Sequence, residues 1–437
     1  MNQSNQQKMM LSLTLMGALF FIFGFVTWLN GILIPYLQIA CELTNFQAVF
    51  VTFSFYISYT LMAVPSSKIL EKTGFKSGIM IGLLIMAVGT LMFIPAAVYR
   101  TFSIFLAGLF VMGTGLALMQ TAVNPYITIL GRRETAAVRL SIMGICNNFA
   151  GAIGPLILAY YILNDGDAIV SSLKTMDEAS ELNVLNELSR RVIGPYIVMT
   201  AVLVVVGILV KMSPLPELDK EPEEESGVTD ATKTNIFQFP HLILGVITLF
   251  FYVGVEVIAG NTIFSYGISL GIAIESAQAY TTMVMFTMLA GYVLGILAIP
   301  RLVTYHTVLK ISAITGILFT LAAIAVPSSW SFILPWVDIE MPITILFVAL
   351  LGLSNSLIWP AIWPLAIHNL GKFIKTGSAL MIMAIAGGAV LPLLWGWISD
   401  SWSAREAYWI VVPAYLIILF YALYGYKVKT WKWKEKM

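Results

Sequence analysis

Residues 118–131 read "LMQTAVNPYITILG". Apolar side chains dominate this run, yet Gln120, Thr121 and Asn124 stand inside it and Pro125 follows at once. Polar amides and a proline cost free energy in greasy surroundings, so the stretch forces the question of which solvent the chain is built for. The whole sequence answers it. Of 437 residues, 59% are hydrophobic and 11% charged, and the mean hydropathy is +0.88, whereas soluble domains are about 25% charged. The solvent is lipid.

The composition also excludes several functions. A net charge of +1 leaves no footprint for nucleic acid. Cys41 and Cys146 are too few for a disulfide framework, and His241, His306 and His368 are scattered, so no metal site is expected. The sequence holds no Walker loop and therefore no ATP drive. It shows no nucleophile–base constellation, so an enzyme is not expected. Residues 11–34 are longer than the apolar core of a signal peptide and lack a small-x-small cleavage site, which makes them a first membrane span.

Cutting the chain at charges and turn residues gives twelve apolar runs, at 10–35, 46–68, 77–98, 102–130, 137–163, 192–212, 240–268, 277–299, 307–327, 341–368, 376–399 and 404–426. Each is near the ~20 residues a helix needs to cross the hydrocarbon. With the N-terminus inside, nineteen of the 24 Lys and Arg residues fall in cytoplasmic segments, which orients the protein with both termini cytoplasmic. Residues 213–237 form an acidic, Pro-containing linker, and it separates a six-helix unit at 1–212 from a second at 238–437. Residues 164–190 make the largest outer loop. Its leucine spacing would suit a short surface helix, but a solvated connector is the expectation for it and for the linker.

The two halves resemble each other weakly. "SIMGICNNFAGAIGP" (141–155) and "SALMIMAIAGGAVLP" (378–392) both place Ser fourteen positions before Pro, with an Ala-Gly pair between. With the central linker, this points to an all-α membrane protein of two six-helix bundles, with a site between them at mid-membrane. The loop "SKILEKTGFK" (67–76) adds a charge cluster at a helix end, with Gly74 as its turn residue. It looks like the signature loop of the major facilitator superfamily.

The polar residues inside the runs are the candidate site. Gln120 and Asn124 are i and i+4 and share a helix face. Pro125 has no N–H, so the Thr121 carbonyl loses its helical partner. Two readings stay open: hydrogen-bonding groups for a polyhydroxyl ligand, or interhelical glue worth about 0.6–2 kcal/mol. Asn147 and Asn148 project about 100° apart on span 5. Trp28 and Asn30 precede Gly31 and Pro35 on span 1, and Ser354, Asn355, Ser356, Trp359 and Trp363 cluster on span 10. The indoles either stack on a sugar ring or face lipid. Glu256, in "FYVGVEVIAGNTIFSYG" (251–267), is the one acid well inside a span. A carboxylate there costs at least about 2.5–3.5 kcal/mol, so it is either functional or paired with amides such as Asn261.

At these residues the chain resembles a known family. "LNGILIPYLQ" (29–38), "LTNFQA" (43–48), "QTAVNPYITILG" (120–131), "SLIWPAIWPLAIHNLG" (356–371) and "GSALMIMAIAGGAVLPLLWGWISD" (377–400) are similar to the fucose–galactose–glucose symporter group of the major facilitator superfamily. The resemblance implies the twelve-helix fold, alternating access, and monosaccharide uptake with a cation at a bacterial inner membrane. It implies a monomer in the lipid bilayer, without a cofactor beyond the co-transported Na⁺ or H⁺. The L-fucose permease branch carries an Asp where this chain has Gly31, and a Glu where it has Gln120. Gln120 and Glu256 instead look like the glucose/galactose branch, in which sodium coupling is known. The expected site is therefore Gln120, Asn124, Asn147, Asn30, Asn355 and Trp359 around the sugar, with Glu256 coupling the cation. An uncoupled facilitator and a membrane sugar sensor are the alternatives.

Overall fold

The computed structural model describes residues 3–129, 136–173, 175–213, 233–299, 302–334 and 339–431. Residues 214–232 of the expected linker lie outside the described residues, as do Arg132 and Arg133 of the inner loop after span 4. Among the described residues, twelve helices are long and apolar enough to cross a membrane. Spans 1 to 6 are Leu11–Ala40, Phe46–Leu70, Lys72–Val98, Phe102–Asn124, Val138–Ile162 and Glu178–Met212. Spans 7 to 12 are Pro240–Ser269, Ala279–Ala298, Tyr305–Ala325, Ile343–Ala366, Thr376–Ser401 and Glu406–Lys427.

Local chemistry sets the helix ends. Thr44 and Gln47 form a reciprocal capping box at the start of span 2, satisfying two of the four N–H groups that a helix start leaves unpaired. Gly74 takes φ +73°, ψ 170°, a backbone open to residues without a Cβ, and turns span 2 into span 3. Pro240 opens span 7 at the position where its missing N–H costs nothing. Span 1 comprises the helices Gln3–Trp28 and Asn30–Ala40, joined at Leu29, which keeps helical angles and its bonds to the Phe25 carbonyl and the Leu33 N–H. Span 10 is interrupted between Asn355 and Ile358. Span 4, by contrast, runs as one helix from Phe102 to Ile129, straight through Pro125.

One expectation is corrected here. The outer loop is not a solvated connector: helices Gly166–Leu173 and Glu178–Arg190 fill it. Leu185 and Leu188 are buried, the Tyr36 hydroxyl reaches the Leu188 and Ser189 carbonyls at 2.9 and 2.8 Å, and Ser189 Oγ donates to the Ala97 carbonyl. Leucines spaced three apart give that segment an apolar stripe, and the outer ends of spans 1 and 3 receive it. The all-α layout also admits a short antiparallel pair, Ser331–Leu334 with Ile339–Pro342, between spans 9 and 10.

Packing repeats across the two halves. Span 1 lies on span 5 as span 7 lies on span 11, and span 3 lies on span 6 as span 9 lies on span 12. Span 5 then packs on span 8 and span 2 on span 11, so the halves meet along two matching seams. Backbones approach most closely within the first pairs. A Cβ on Gly24 would lie 1.9 Å from the Asn147 carbonyl oxygen, and one on Gly387 1.7 Å from that of Phe250. Lipid tails give no hydrophobic drive between helices, so such close contact is how they hold together. Outward faces stay apolar: Val198, Val202, Val205 and Leu209 form an exposed stripe on span 6.

This packing yields a contrast between two glycines of span 1. Gly24→Ala has only backbone to push against and should lose about 1–3 kcal/mol. Gly17→Ala places its Cβ 3.4 Å from Cys146 Sγ, an ordinary contact, and should be tolerated. Thermal unfolding of the purified variants tells them apart; equal stability would refute the close approach of spans 1 and 5.

Candidate functional site

The seams leave polar side chains facing one another at mid-membrane. On span 7, Tyr252 and Glu256 are i and i+4, which puts them on one face, and the Tyr252 hydroxyl donates to Glu256 Oε1 at 2.8 Å. Glu256 is half-buried. Tyr56 of span 2, Tyr292 of span 8 and Tyr415 of span 12 lie within electrostatic range of its carboxylate. Among the described residues, no Lys, Arg or His faces it. One phenol is therefore bonded to the acid, and three more, two from the same half and Tyr56 from the other, stand near it.

Each phenol is held in place. Tyr415 donates to Asn355 Oδ1 at 2.8 Å, with its ring against Gly316 of span 9. Tyr292 packs on Gly144 and Asn148 of span 5. The Tyr56 ring lies on Gly388 of span 11 and stacks with Tyr59, with centroids 6.2 Å apart. Tyr59 in turn accepts from Gln120 Nε2 at 3.4 Å. Beyond them, Trp28 Nε1 donates to Asn147 Oδ1 at 3.3 Å while its ring rests on Gly151 and Gly260.

The structure thus links Gln120 to Glu256 through Tyr59 and Tyr56, and Asn355 to Glu256 through Tyr415. Asn147 stands beside Trp28. The other expected site residues are placed apart. Asn124 is buried one helical turn beyond Gln120. Asn30 is fully buried and donates to the Thr27 carbonyl of its own span. Trp359 stacks on Trp363, with centroids 5.4 Å apart. Trp363 is 1% exposed, which removes the lipid-facing reading for that residue. Pairing of Glu256 with Asn261 is also corrected: Tyr252 supplies its hydrogen bond, and the Asn261 carboxamide lies against Gly31 instead.

The tyrosines were missed from the sequence. Tyr252–Glu256 could have been found from its i, i+4 spacing, and Tyr56–Tyr59 from theirs. Tyr292 shares its run with Tyr280, and Tyr415 shares its own with Tyr408, Tyr421, Tyr424 and Tyr426, so nothing in the sequence singles them out; the packing of spans 8 and 12 brings them toward Glu256. Two contacts join the halves near this cluster: Phe46 N–H donates to Asp400 Oδ2 at 3.0 Å, joining the ends of spans 2 and 11, and Tyr292 of span 8 packs on Gly144 of span 5.

Residues 16–391 match the family model described as Major Facilitator Superfamily. The chain belongs to that family. It is 31% identical to a glucose/galactose transporter of Brucella abortus over 97% of this chain and 96% of that one. It is 30% identical to a putative glucose/galactose transporter of Helicobacter pylori, over 95% and 97% of the two chains. With the L-fucose-proton symporter of Escherichia coli the identity is 27%, over 89% and 86%. A crystal structure of the E. coli fucose:proton symporter superposes with TM-score 0.73 and 25% identity, covering 96% of this chain and 99% of that one.

The Tyr415–Asn355 bond makes a prediction of its own. Asn355 is 0% exposed, and among the described residues its Nδ2 has no hydrogen-bond partner. Tyr415→Phe strands the buried carboxamide completely and should cost about 1–3 kcal/mol. Asn355→Leu together with Tyr415→Phe removes both polar partners and should recover part of the loss. Melting temperatures of the single and double variants are the readout.

Proposed function

We propose that the chain is a secondary active transporter that imports a hexose, such as glucose, galactose or fucose, together with Na⁺ or H⁺ by alternating access. The observation that carries this reading is Glu256, a single carboxylate bonded by one phenol and with three more near it, with no basic partner facing it among the described residues. The glucose/galactose relatives support the substrate class. Phenols, carboxamides and indoles offer what a sugar needs, namely directional donors and acceptors plus flat apolar faces. Gln120 and Asn147 would contact the sugar, with Asn355 shaping the chamber through Tyr415. The chain would lie in a bacterial inner membrane with both termini cytoplasmic.

Coupling follows from charge. A cation drives a sugar only if its affinity differs between the states it links. A proton on Glu256, or Na⁺ near it, neutralises the one mid-membrane charge and changes the cost of closing the halves around it. Gly31 and Gln120, where the fucose branch carries acids, favour a second reading, the uncoupled facilitator.

Uptake of labelled hexoses into proteoliposomes, with and without a Na⁺ gradient at fixed pH and with a pH gradient alone, tests the proposal. Accumulation above equilibrium on either gradient is expected; equilibration alone would establish the facilitator. Glu256→Gln keeps the shape and should abolish accumulation while sparing sugar counterflow, which needs no net ion movement. Gln120→Ala should weaken sugar affinity roughly two- to tenfold, corresponding to about 0.5–1.5 kcal/mol for a lost hydrogen bond. Undiminished accumulation by Glu256→Gln would make that residue structural.

A further inference from the structure

One turn of span 1, from Gly24 to Trp28, meets one turn of span 5, from Asn147 to Gly151. A Cβ on Gly24 would lie 1.9 Å from the Asn147 carbonyl oxygen, so the main chain at Asn147 is held against span 1. Four residues on and on the same face, Trp28 holds the side chain: its Nε1–H donates to Asn147 Oδ1 at 3.3 Å. The Trp28 ring is 3% exposed and lies between glycines of opposite halves. A Cβ on Gly151 would lie 2.3 Å from its Cδ1, and one on Gly260 of span 7 would lie 2.3 Å from its Cζ3. Asn147 itself is half-buried, and Trp28 supplies its one side-chain hydrogen bond among the described residues.

That bond has a direction. A carboxamide has an acceptor oxygen at one end and two N–H donors at the other, whereas an indole N–H can only donate. Asn147 must therefore turn its oxygen to Trp28 and carry its NH2 away from it. A flip would set N–H against N–H and strand the buried indole donor, which keeps the flipped form a minor population. Gln120 makes the contrast. Its Nε2 donates to the Tyr59 hydroxyl at 3.4 Å, but a phenol both donates and accepts, so that partner fixes neither end of the carboxamide. We propose that Trp28, on the reading of Asn147 as a sugar contact, is a positioning residue that sets specificity: it presents the Asn147 NH2 to the sugar, so that the site donates to a sugar oxygen there and does not accept from it.

Sugar analogues report which end of the carboxamide is presented. Counterflow of D-glucose, D-galactose and L-fucose by the full chain in proteoliposomes needs no ion gradient, and the best-transported of them is the parent. Its monodeoxy and deoxyfluoro analogues are then used as competitors. Carbon-bound fluorine accepts a weak hydrogen bond and donates none. The hydroxyl whose deoxy penalty disappears in Asn147→Ala is the one that meets Asn147. There the deoxy analogue should bind the wild type about two- to tenfold more weakly than the parent, and fluorine should recover most of that loss. Trp28→Phe keeps an aromatic ring between the glycines and removes the N–H. It should weaken the parent hexose by about twofold or more, through lost preorganisation. The recovery by fluorine should shrink as well, because a freed carboxamide can turn its oxygen to a hydroxyl but not to fluorine. Added to Asn147→Ala, Trp28→Phe should cost no further affinity. Fluorine no better than hydrogen at that position in the wild type would overturn the proposal, whether or not Trp28→Phe folds. So would a Trp28→Phe that binds and discriminates like wild type, or one whose full loss persists in the Asn147→Ala background. An unchanged deoxy pattern in Asn147→Ala would overturn it together with the reading of Asn147 as a sugar contact, which failure of the Trp28 arms alone would leave standing.

Discussion

One half-buried carboxylate organises this protein. Glu256 sits in the middle of an apolar helix with no basic partner facing it among the described residues, and its hydrogen bond comes from Tyr252, one turn earlier on the same face. A charge in that position costs several kcal/mol unless it is neutralised or solvated by protein dipoles. The surrounding structure supplies the dipoles. Tyr56, Tyr292 and Tyr415 approach from three other spans; Asn148 and Asn355 hold Tyr292 and Tyr415, and Gln120 bonds Tyr59, on which Tyr56 stacks. Tyr252, Tyr292 and Tyr415 belong to the same half as Glu256 and Tyr56 to the other, so contact between the halves completes the cluster and links the state of Glu256 to their arrangement.

The halves themselves are suited to such linkage. Each is tied internally by backbone approaches that no side chain larger than hydrogen permits, at Gly24 and at Gly387, which makes each pair of helices a stiff body. Between the halves the contacts are of a different kind, with side-chain rings on glycines, as Trp28 on Gly260, Tyr292 on Gly144 and Tyr56 on Gly388, and single hydrogen bonds beside them. Phe46 N–H on Asp400, Thr60 on the Met383 carbonyl and Thr282 on the Ala152 carbonyl are single hydrogen bonds at 3.0, 3.3 and 3.3 Å. Exchanging a few such bonds costs little compared with separating interlocked backbones. Rigid halves joined by exchangeable contacts are what rocking about a central site requires.

Much of this was legible in the sequence, for definite reasons. Twelve spans follow from run length and from the scarcity of charge, and Gly74 announced the turn between spans 2 and 3 because a positive φ there favours a residue without a Cβ. Glu256 was legible because ionisable residues are rare in hydrocarbon. The tyrosine ring was not. A tyrosine in an apolar run reads as one more large side chain, and its hydroxyl gains meaning only from what another helix places opposite it. Asn355 shows the same limit: the sequence marked it as polar, but its tie to Tyr415 joins residues 60 positions apart. The outer helices failed for the converse reason. Leu185 and Leu188 looked like leucines of a solvated connector until Tyr36, 152 positions from Leu188, was found beneath them.

The most direct test of coupled transport reverses the usual driving force. Proteoliposomes with equal Na⁺ and pH on both sides, held at zero membrane potential, are given an inward hexose gradient alone. Reciprocity between the two ligands requires the sugar to draw the ion in with it. Radioactive sodium, or a pH indicator for protons, should therefore rise inside in step with the hexose, and only for hexoses the protein transports. Hexose entry with no movement of either ion would contradict the account and leave an uncoupled facilitator.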